Sequence, residues 1–139
     1  MKYELIRSDI DGLFRVKALR DFADVHIGDV GGMVESSDNL SQGGDCWVYD
    51  CARVIGAARV RGDAVVLGNA VVRGEARISG RATIADYAVV KDNAHVSENA
   101  YVVEWAIIEE CAHIGRNAVI RGFACVGGNE IVMNGGKNG

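Results

Sequence analysis

The sequence predicts an all-β solenoid, in which short strands wind around a common axis and stack coil upon coil. Three regularities carry the prediction: a small residue recurs every sixth position, a β-branched aliphatic follows it two places later, and a turn-forming residue comes two places after that. The register holds without a slip through fourteen hexads. A period of six fits two inward-facing strand residues and a tight turn, whereas an α-helix would scatter the pattern over its faces.

Each hexad supplies two side chains to the predicted core. The small residues are Cys46, Ala52, Ala58, Ala64, Ala70, Ala76, Ala82, Ala88, Ala94, Ala100, Ala106, Ala112, Ala118 and Ala124. The aliphatic residues are Val48, Val54, Val60, Val66, Val72, Ile78, Ile84, Val90, Val96, Val102, Ile108, Ile114, Ile120 and Val126. Burial of each aliphatic side chain contributes roughly 1.5–3 kcal/mol before the entropy of ordering is subtracted.

The corners of the coils are predicted at the residues that tolerate a positive φ. These are Gly56, Gly62, Gly68, Gly74, Gly80, Asp86, Asp92 and Gly122. Glycine adopts such a conformation freely, and aspartate does so better than most residues. Glu98, Glu104, Glu110 and Arg116 stand at the same position in other hexads. Because they lack this preference, we expect the later coils to be less regular.

The chain divides into three segments around this repeat. Residues 1–45 lack the rhythm, and two strands are predicted over 2–6 and 14–19 around the Asp11-Gly12 turn, followed by an irregular capping coil. Residues 46–126 form the repeat, and residues 127–139 are predicted to be a short cap or a tail. An open solenoid end exposes strand edges that invite aggregation, so the first segment is expected to cover one end.

Strings such as IGRNAVI (114–120) and VLGNAVV (66–72) resemble the hexapeptide-repeat superfamily. The resemblance covers residues 46–126 and implies a left-handed parallel β-helix with three hexads, or 18 residues, in each coil. It also implies self-association, typically as a homotrimer. The stretch 13–54, LFRVKALRDFADVHIGDVGGMVESSDNLSQGGDCWVYDCARV, resembles an uncharacterised subfamily of bacteria and their prophages, some members of which carry the label acyltransferase by analogy of fold.

Composition restricts the class of protein and its partners. The chain has 139 residues, 49% of them hydrophobic and 24% charged, as in an ordinary globular domain. It contains no apolar run of membrane-spanning length and begins with the charged MKYELIRSD, so a cytoplasmic protein without membrane contact is predicted. The four cysteines form no disulfide framework or metal motif. The net charge is −4, and the repeat is basic in its first half and acidic in its second, which disfavours generic nucleic-acid binding because that requires a broadly basic surface.

Residues 18 apart should stack in columns, which allows the outward faces to be compared. One face is almost entirely apolar, and we call it the apolar face; an exposed strip of this kind usually marks an interface. Its predicted interface residues are Trp47, Tyr49, Val65, Leu67, Tyr101, Val103 and Val119. Self-association as a homotrimer or a dimer is therefore expected. The alternative is that the N-terminal segment covers this face.

A second face collects cationic side chains, with Arg59, Arg77, His95 and His113 in one column and Arg61 and Arg73 nearby. Such groups repel one another unless an anion or carboxylates lie among them. The predicted ligand-binding residues are Arg59, Arg61, Arg73, Arg77 and His95. The alternative is a solvated face on which Glu75 and Asp63 pair with the arginines.

These features favour a non-catalytic, homo-oligomeric binding or scaffold protein without a cofactor. Given the prophage resemblance, one version is a phage accessory (anti-defence) protein that sequesters a small anionic or nucleotide ligand or blocks a host protein. The alternative is an acyltransferase that uses acyl-CoA, with His95 or His113 as general base. No loop interrupts residues 46–126 to build an acyl-CoA cleft, and the spacing of the three histidines does not match the three-histidine zinc site of γ-class carbonic anhydrases. A purely structural role is the third hypothesis.

Overall fold

The computed structural model describes residues 1–139 as a parallel β-solenoid of about six turns. Every regular element is a β-strand except a single turn of 3₁₀ helix at Ser37–Asn39. None of its helical structure has the length and hydrophobicity that crossing a membrane requires. The predicted all-β solenoid is confirmed.

Nineteen strands follow one another along the chain. They are β1 (Tyr3–Arg7), β2 (Phe14–Ala18), β3 (Val30–Val34), β4 (Trp47–Val48), β5 (Arg53–Val54), β6 (Arg59–Val60), β7 (Val65–Val66), β8 (Val71–Val72), β9 (Arg77–Ile78), β10 (Thr83–Ile84), β11 (Val89–Val90), β12 (His95–Val96), β13 (Tyr101–Val102), β14 (Ile107–Ile108), β15 (His113–Ile114), β16 (Val119–Arg121), β17 (Cys125–Val126), β18 (Ile131–Val132) and β19 (Gly136–Asn138).

The strands form three sheets, one along each side of the solenoid. The orders are β1-β2-β3-β5-β8-β11-β14-β17, β19-β16-β13-β10-β7-β4 and β18-β15-β12-β9-β6. Within the repeat every strand pairs in parallel with the strand three further on, so that Val65 aligns with Thr83 and Thr83 with Tyr101. Residues 18 apart in the sequence therefore stack in columns, as the repeat predicts.

The core is a double column of small and branched side chains on each side. The residues at both hexad positions from Ala52 to Val126 are at most 4% exposed, and most are fully buried. They belong to one continuous cluster of 36 residues. Because each coil repeats the same two volumes, the coils stack without a change of spacing along the axis.

The corners keep one backbone conformation even in hexads that have no glycine at the corner position. Glu98, Glu104 and Glu110 have φ of 57°, 60° and 58°, close to the 64° to 69° of the repeat glycines from Gly56 to Gly122. Arg116 turns in the same way, with φ 47°. The expectation that the later coils are less regular is therefore wrong, because stacking on the neighbouring coils imposes the turn on residues that do not favour it.

Several acidic corner residues have a further role, since their carboxylates accept a hydrogen bond from the next coil. The N–H of Glu104 donates to Asp86 Oδ2 at 2.9 Å, and the N–H of Gly122 donates to Glu104 Oε1 at 3.2 Å. The N–H of Glu110 likewise donates to Asp92 Oδ2 at 3.0 Å. Corner N–H groups have no partner in the backbone ladder. An acidic side chain thus compensates for its strained φ by satisfying a donor 18 residues away.

We expect Glu98→Gly to raise the free energy of unfolding by about 1 kcal/mol, because it relieves a left-handed φ and removes no hydrogen bond. The matched variant Glu104→Gly relieves the same φ but loses the bond to the Gly122 N–H, so its gain should be smaller. Urea unfolding of both variants measures the difference. Equal gains would contradict the role given to the carboxylate.

The N-terminal segment closes one end of the solenoid. Strands β1 and β2 pair antiparallel around Gly12, which has φ 83°, and β2 pairs antiparallel with β3. Strand β3 joins the solenoid by pairing in parallel with β5. The two strands expected around the Asp11-Gly12 turn thus extend the largest sheet past the first coil.

The C-terminal residues continue the solenoid for one more partial coil. Strand β18 pairs with β15, and β19 pairs with β16. In this last coil the small hexad position holds Glu130, and its carboxylate forms an ion pair with Lys137. Lys137 aligns with the buried Ile120 of the coil below. Charged groups therefore occupy core positions in the last coil and terminate the apolar core at that end of the solenoid.

Candidate anion-binding groove

Three adjacent strands of the five-stranded sheet build a groove of about 440 Å³. Strands β6, β9 and β12 present Arg59, Arg77 and His95 side by side, because these residues are aligned in the parallel register. Neighbouring strands lie about 4.8 Å apart, so the three side chains emerge one step from each other. Ala57, Glu75 and Asn93 complete the lining. The groove therefore combines two guanidinium groups, an imidazole, a carboxylate and an amide.

The arginines of this groove are exposed and lack ion pairs. The only pairs within 4.0 Å in the whole structure are Lys91 with Glu109 and Lys137 with Glu130. Glu75 lines the groove without reaching an arginine at that distance. Asp63 instead accepts a hydrogen bond from the backbone N–H of Asp45 at 3.0 Å. The alternative in which Glu75 and Asp63 pair with the arginines is thus not what the structure contains.

His95 lines the groove and stacks on His113. The two imidazole centroids lie 4.7 Å apart with an angle of 15° between the rings. Burial lowers the pKa of His95, and the nearby His113, Arg77 and Arg61 lower it further. The Nε2 atom of His95 is buried and has no hydrogen-bond partner. A neutral imidazole with an unused polar atom therefore stands at the end of the arginine column.

The remaining predicted ligand residues lie outside this groove. Arg61 lines a neighbouring groove of about 460 Å³, which it shares with Arg59, Met1, Leu40 and Gln42 among others. Arg73 follows β8, which belongs to a different sheet, and it lines neither groove. Arg59 stands between the two grooves. The structure thus brings together Arg59, Arg77 and His95, joins Arg61 to them through Arg59, and leaves Arg73 apart.

The apolar face loses its first predicted member. Trp47 is 1% exposed, because Phe22 and Tyr3 pack edge-on against its indole ring at centroid distances of 5.1 and 6.2 Å. The prediction of Trp47 as an exposed interface residue is therefore wrong. At strand β4 the N-terminal segment covers the apolar face, as the alternative interpretation expected. Tyr49 is half-buried, and its hydroxyl donates to Asp24 Oδ1 at 2.6 Å.

The rest of the apolar face is open to solvent. Tyr101 is 50% exposed and Val119 is 38% exposed, while Val65, Leu67 and Val103 are half-buried. No segment of the chain pairs over these rows. Apart from Trp47 on β4, the side chains predicted for an interface are thus at least partly accessible to solvent.

Sequence reasoning missed an aromatic ladder at the edge of this face. Tyr87 and Trp105 stack at 4.3 Å with 6° between their rings, and Trp105 and Phe123 follow at 6.1 Å with 11°. All three are at least 50% exposed. Their spacing of 18 residues was the signal that could have identified the ladder, since it places them in one column. The ladder extends the apolar surface around the corner.

No group of three or more His, Cys, Asp or Glu side chains is placed to hold a metal ion. All four cysteines are free, and only Cys46 is buried. A comparison with protein-family models finds no match, and a comparison with curated proteins finds none either. The chemistry of the grooves and faces therefore carries the functional argument.

Proposed function

We propose that this chain is a cytoplasmic, non-catalytic, homo-oligomeric binding protein of the hexapeptide-repeat superfamily that holds a small anionic ligand in the groove of Arg59, Arg77 and His95. The observation that carries the proposal is the lack of any carboxylate within 4.0 Å of the two guanidinium groups. Aligned cations without counter-charges repel one another, and a bound anion removes that repulsion. Self-association through the open rows of the apolar face, as a trimer or a dimer, is part of the proposal.

The chemistry of the groove favours a phosphate-bearing ligand. Guanidinium groups bind phosphate oxygens with two parallel hydrogen bonds, and two of them one strand apart can hold the same group. The imidazole of His95 lines the same groove beside the two guanidinium groups. A bound dianion would offset the positive neighbours that lower the pKa of His95. A nucleotide is one such ligand. A phage accessory protein that sequesters a nucleotide would require a groove of this kind.

Calorimetric titration with inorganic phosphate and then with ATP tests the proposal on the intact protein. Arg77→Gln should weaken binding by at least about tenfold, because it removes a charge-assisted contact. The matched control Arg53→Gln removes an exposed arginine from a different sheet and should leave the affinity unchanged. Equal affinities of wild type and Arg77→Gln would refute the groove as the site.

An acyltransferase is the second candidate, and one observation favours it. Burial and positive neighbours keep the pKa of His95 low, so the imidazole is neutral at neutral pH, as a general base must be. The same titration with acetyl-CoA separates the two candidates. Binding of acetyl-CoA that is lost in His95→Ala would favour the enzyme, whereas binding of phosphate alone favours the non-catalytic protein.

A further inference from the structure

Glu75 is a carboxylate in a groove that otherwise suits an anion. It lines the groove with Arg59 and Arg77, but its oxygens lie more than 4.0 Å from their guanidinium nitrogens. The side chain of Glu75 is exposed and forms no hydrogen bond. A carboxylate in this position repels a bare anion. The charges of the groove are therefore mixed, and a ligand that matches them carries a positive centre as well as negative groups.

Asn93 lies beside Glu75 at the same corner of the solenoid and lines the same groove. The N–H of Glu75 donates to the carbonyl oxygen of Asp92 at 2.8 Å, so the coils stay in register through this corner. Glu75 and Asn93 are consequently one strand step, about 4.8 Å, apart. Arg77 follows Glu75 by two residues, and His95 follows Asn93 by two. Two oxygen-bearing side chains thus run alongside the column of Arg77 and His95.

The oxygens of Glu75 and Asn93 are the kind of ligand that Mg²⁺ takes in proteins. This ion retains several waters and is usually held by one or two carboxylates together with the phosphates of a bound ligand. The amide of Asn93 is exposed and forms no hydrogen bond, so its oxygen is free to take part. No three acidic, histidine or cysteine side chains are placed to hold a metal ion by themselves. An ion at this corner would therefore arrive with a phosphate ligand.

We propose that the ligand of this groove is the magnesium complex of a di- or triphosphate, such as a nucleoside triphosphate. Arg59 and Arg77 bind phosphate oxygens, and Glu75 and Asn93 bind the Mg²⁺ ion directly or through its waters. The mixed charges of the groove then each have a partner of opposite sign. This inference rests on the proposed anion-binding function and specifies the class of ligand.

The spacing of the groups favours a chain of phosphates over a single phosphate. A single phosphate can contact the two guanidinium groups, but it leaves few oxygens for a metal ion. In a di- or triphosphate, Mg²⁺ commonly bridges oxygens of neighbouring phosphates and offsets their charge. Separate phosphates can then contact Arg59 and Arg77 while the ion faces Glu75. The groove, at about 440 Å³, lies within the usual size range of small-molecule sites.

Calorimetric titration with ATP, in excess MgCl₂ and in EDTA, tests the inference on the intact protein. Wild type should bind ATP at least about fivefold more tightly when Mg²⁺ is present, because the ion and the nucleotide are bound together. A groove that responded only to negative charge would show the reverse, since Mg²⁺ offsets part of the charge of ATP. The direction of the magnesium effect therefore separates the two cases.

Glu75→Gln removes the carboxylate and keeps the shape of the side chain. Without Mg²⁺ this variant should bind ATP more tightly than wild type, because a repulsive charge is gone. With Mg²⁺ it should bind more weakly than wild type, and the gain from the ion should fall below about twofold. Glu4→Gln is the matched control, since Glu4 is exposed on β1 of the eight-stranded sheet and should leave the magnesium effect unchanged. Asn93→Asp should increase that effect.

Circular dichroism during heating shows that each variant is folded. ATP binding that Mg²⁺ does not strengthen would overturn the magnesium complex and leave the anion groove in place. The same holds if Glu75→Gln binds ATP more tightly both with and without the ion, because the carboxylate is then only a counter-charge. A wild type that binds ATP under neither condition would overturn the anion groove as well. Arg77→Gln should lose affinity in both buffers, which reports on the groove separately.

Discussion

Replacing Lys2 with Met should lower the free energy of unfolding by about 2–4 kcal/mol, although the new side chain keeps nearly the same length and shape. Lys2 is 1% exposed, which is rare for a lysine. Its ammonium group donates to the backbone oxygens of Cys46 at 2.7 Å, Gly43 at 3.2 Å and Gly44 at 3.3 Å, and to Cys46 Sγ at 3.3 Å. It thereby satisfies carbonyl groups at the end of the first coil.

Two opposing effects decide the size of this change. Removing a buried ammonium group relieves its desolvation, which favours the variant. The Cys46 carbonyl then stays buried without its charged donor, and contacts with Gly43, Gly44 and the Phe22 ring are lost as well. Charge-assisted bonds contribute about 1.5–3 kcal/mol each, so several of them outweigh the relief. The loss of stability should therefore dominate.

Urea unfolding monitored by circular dichroism measures the effect. Lys17→Met is the matched control, because Lys17 lies on the neighbouring strand β2 and its ammonium group makes no hydrogen bond. It should change the free energy of unfolding by less than about 0.5 kcal/mol. If Lys2→Met were as stable as wild type, the carbonyl contacts would have no net stabilising value, and apolar packing alone would close this end.

The repeat could be predicted from sequence because each position of the hexad has one physical task. Ala82 and Ile84 face inward, and so do the residues at the equivalent positions of the other hexads, so that the same two side-chain volumes recur in each coil. A pattern repeated fourteen times averages out local exceptions such as Glu98. The corner at Glu98 departs from the intrinsic preference of glutamate because stacking between coils sets φ there.

The non-repeating parts could not be predicted in the same way. Trp47 occupies an outward position of its hexad, and nothing local indicates that Phe22 folds back over it. Lys2 is a charged residue next to the chain start, so composition assigns it to solvent. Both cases depend on contacts between residues 25 to 44 apart. For the groove, the 18-residue spacing predicted the alignment of Arg77 with His95, whereas the missing ion pairs depend on side-chain positions.

Asn39→Asp should destabilise the protein by about 2–4 kcal/mol at neutral pH, although the two side chains have the same shape. Asn39 is fully buried in the first coil. Its Oδ1 accepts the N–H groups of Glu35 and Ser36, both at 2.9 Å. Its Nδ2 donates to the carbonyl oxygens of Gly56 at 3.1 Å and Ala58 at 2.8 Å. The amide thus joins the irregular capping coil to the first regular coils.

An aspartate keeps only the first pair of these bonds, because its second oxygen faces two carbonyl oxygens and has no proton to donate. The fold should therefore disfavour the charged form and raise the pKa of this carboxyl above its unfolded value of about 3.9. Stability relative to wild type should then be lost as the pH rises from the unfolded pKa through the higher folded pKa, and the deficit should be smaller at pH 4 than at pH 7. Thermal unfolding at both values measures this difference.

The exposed Asn69 provides the control for the general effect of an added negative charge, since its side chain makes no hydrogen bond. Asn69→Asp should change stability by less than about 0.5 kcal/mol. A deficit in Asn39→Asp that does not depend on pH would mean that the amide contributes through packing and not through its two donated bonds. A deficit that shrinks in acid identifies the Gly56 and Ala58 carbonyls as the groups that require a donor at this position.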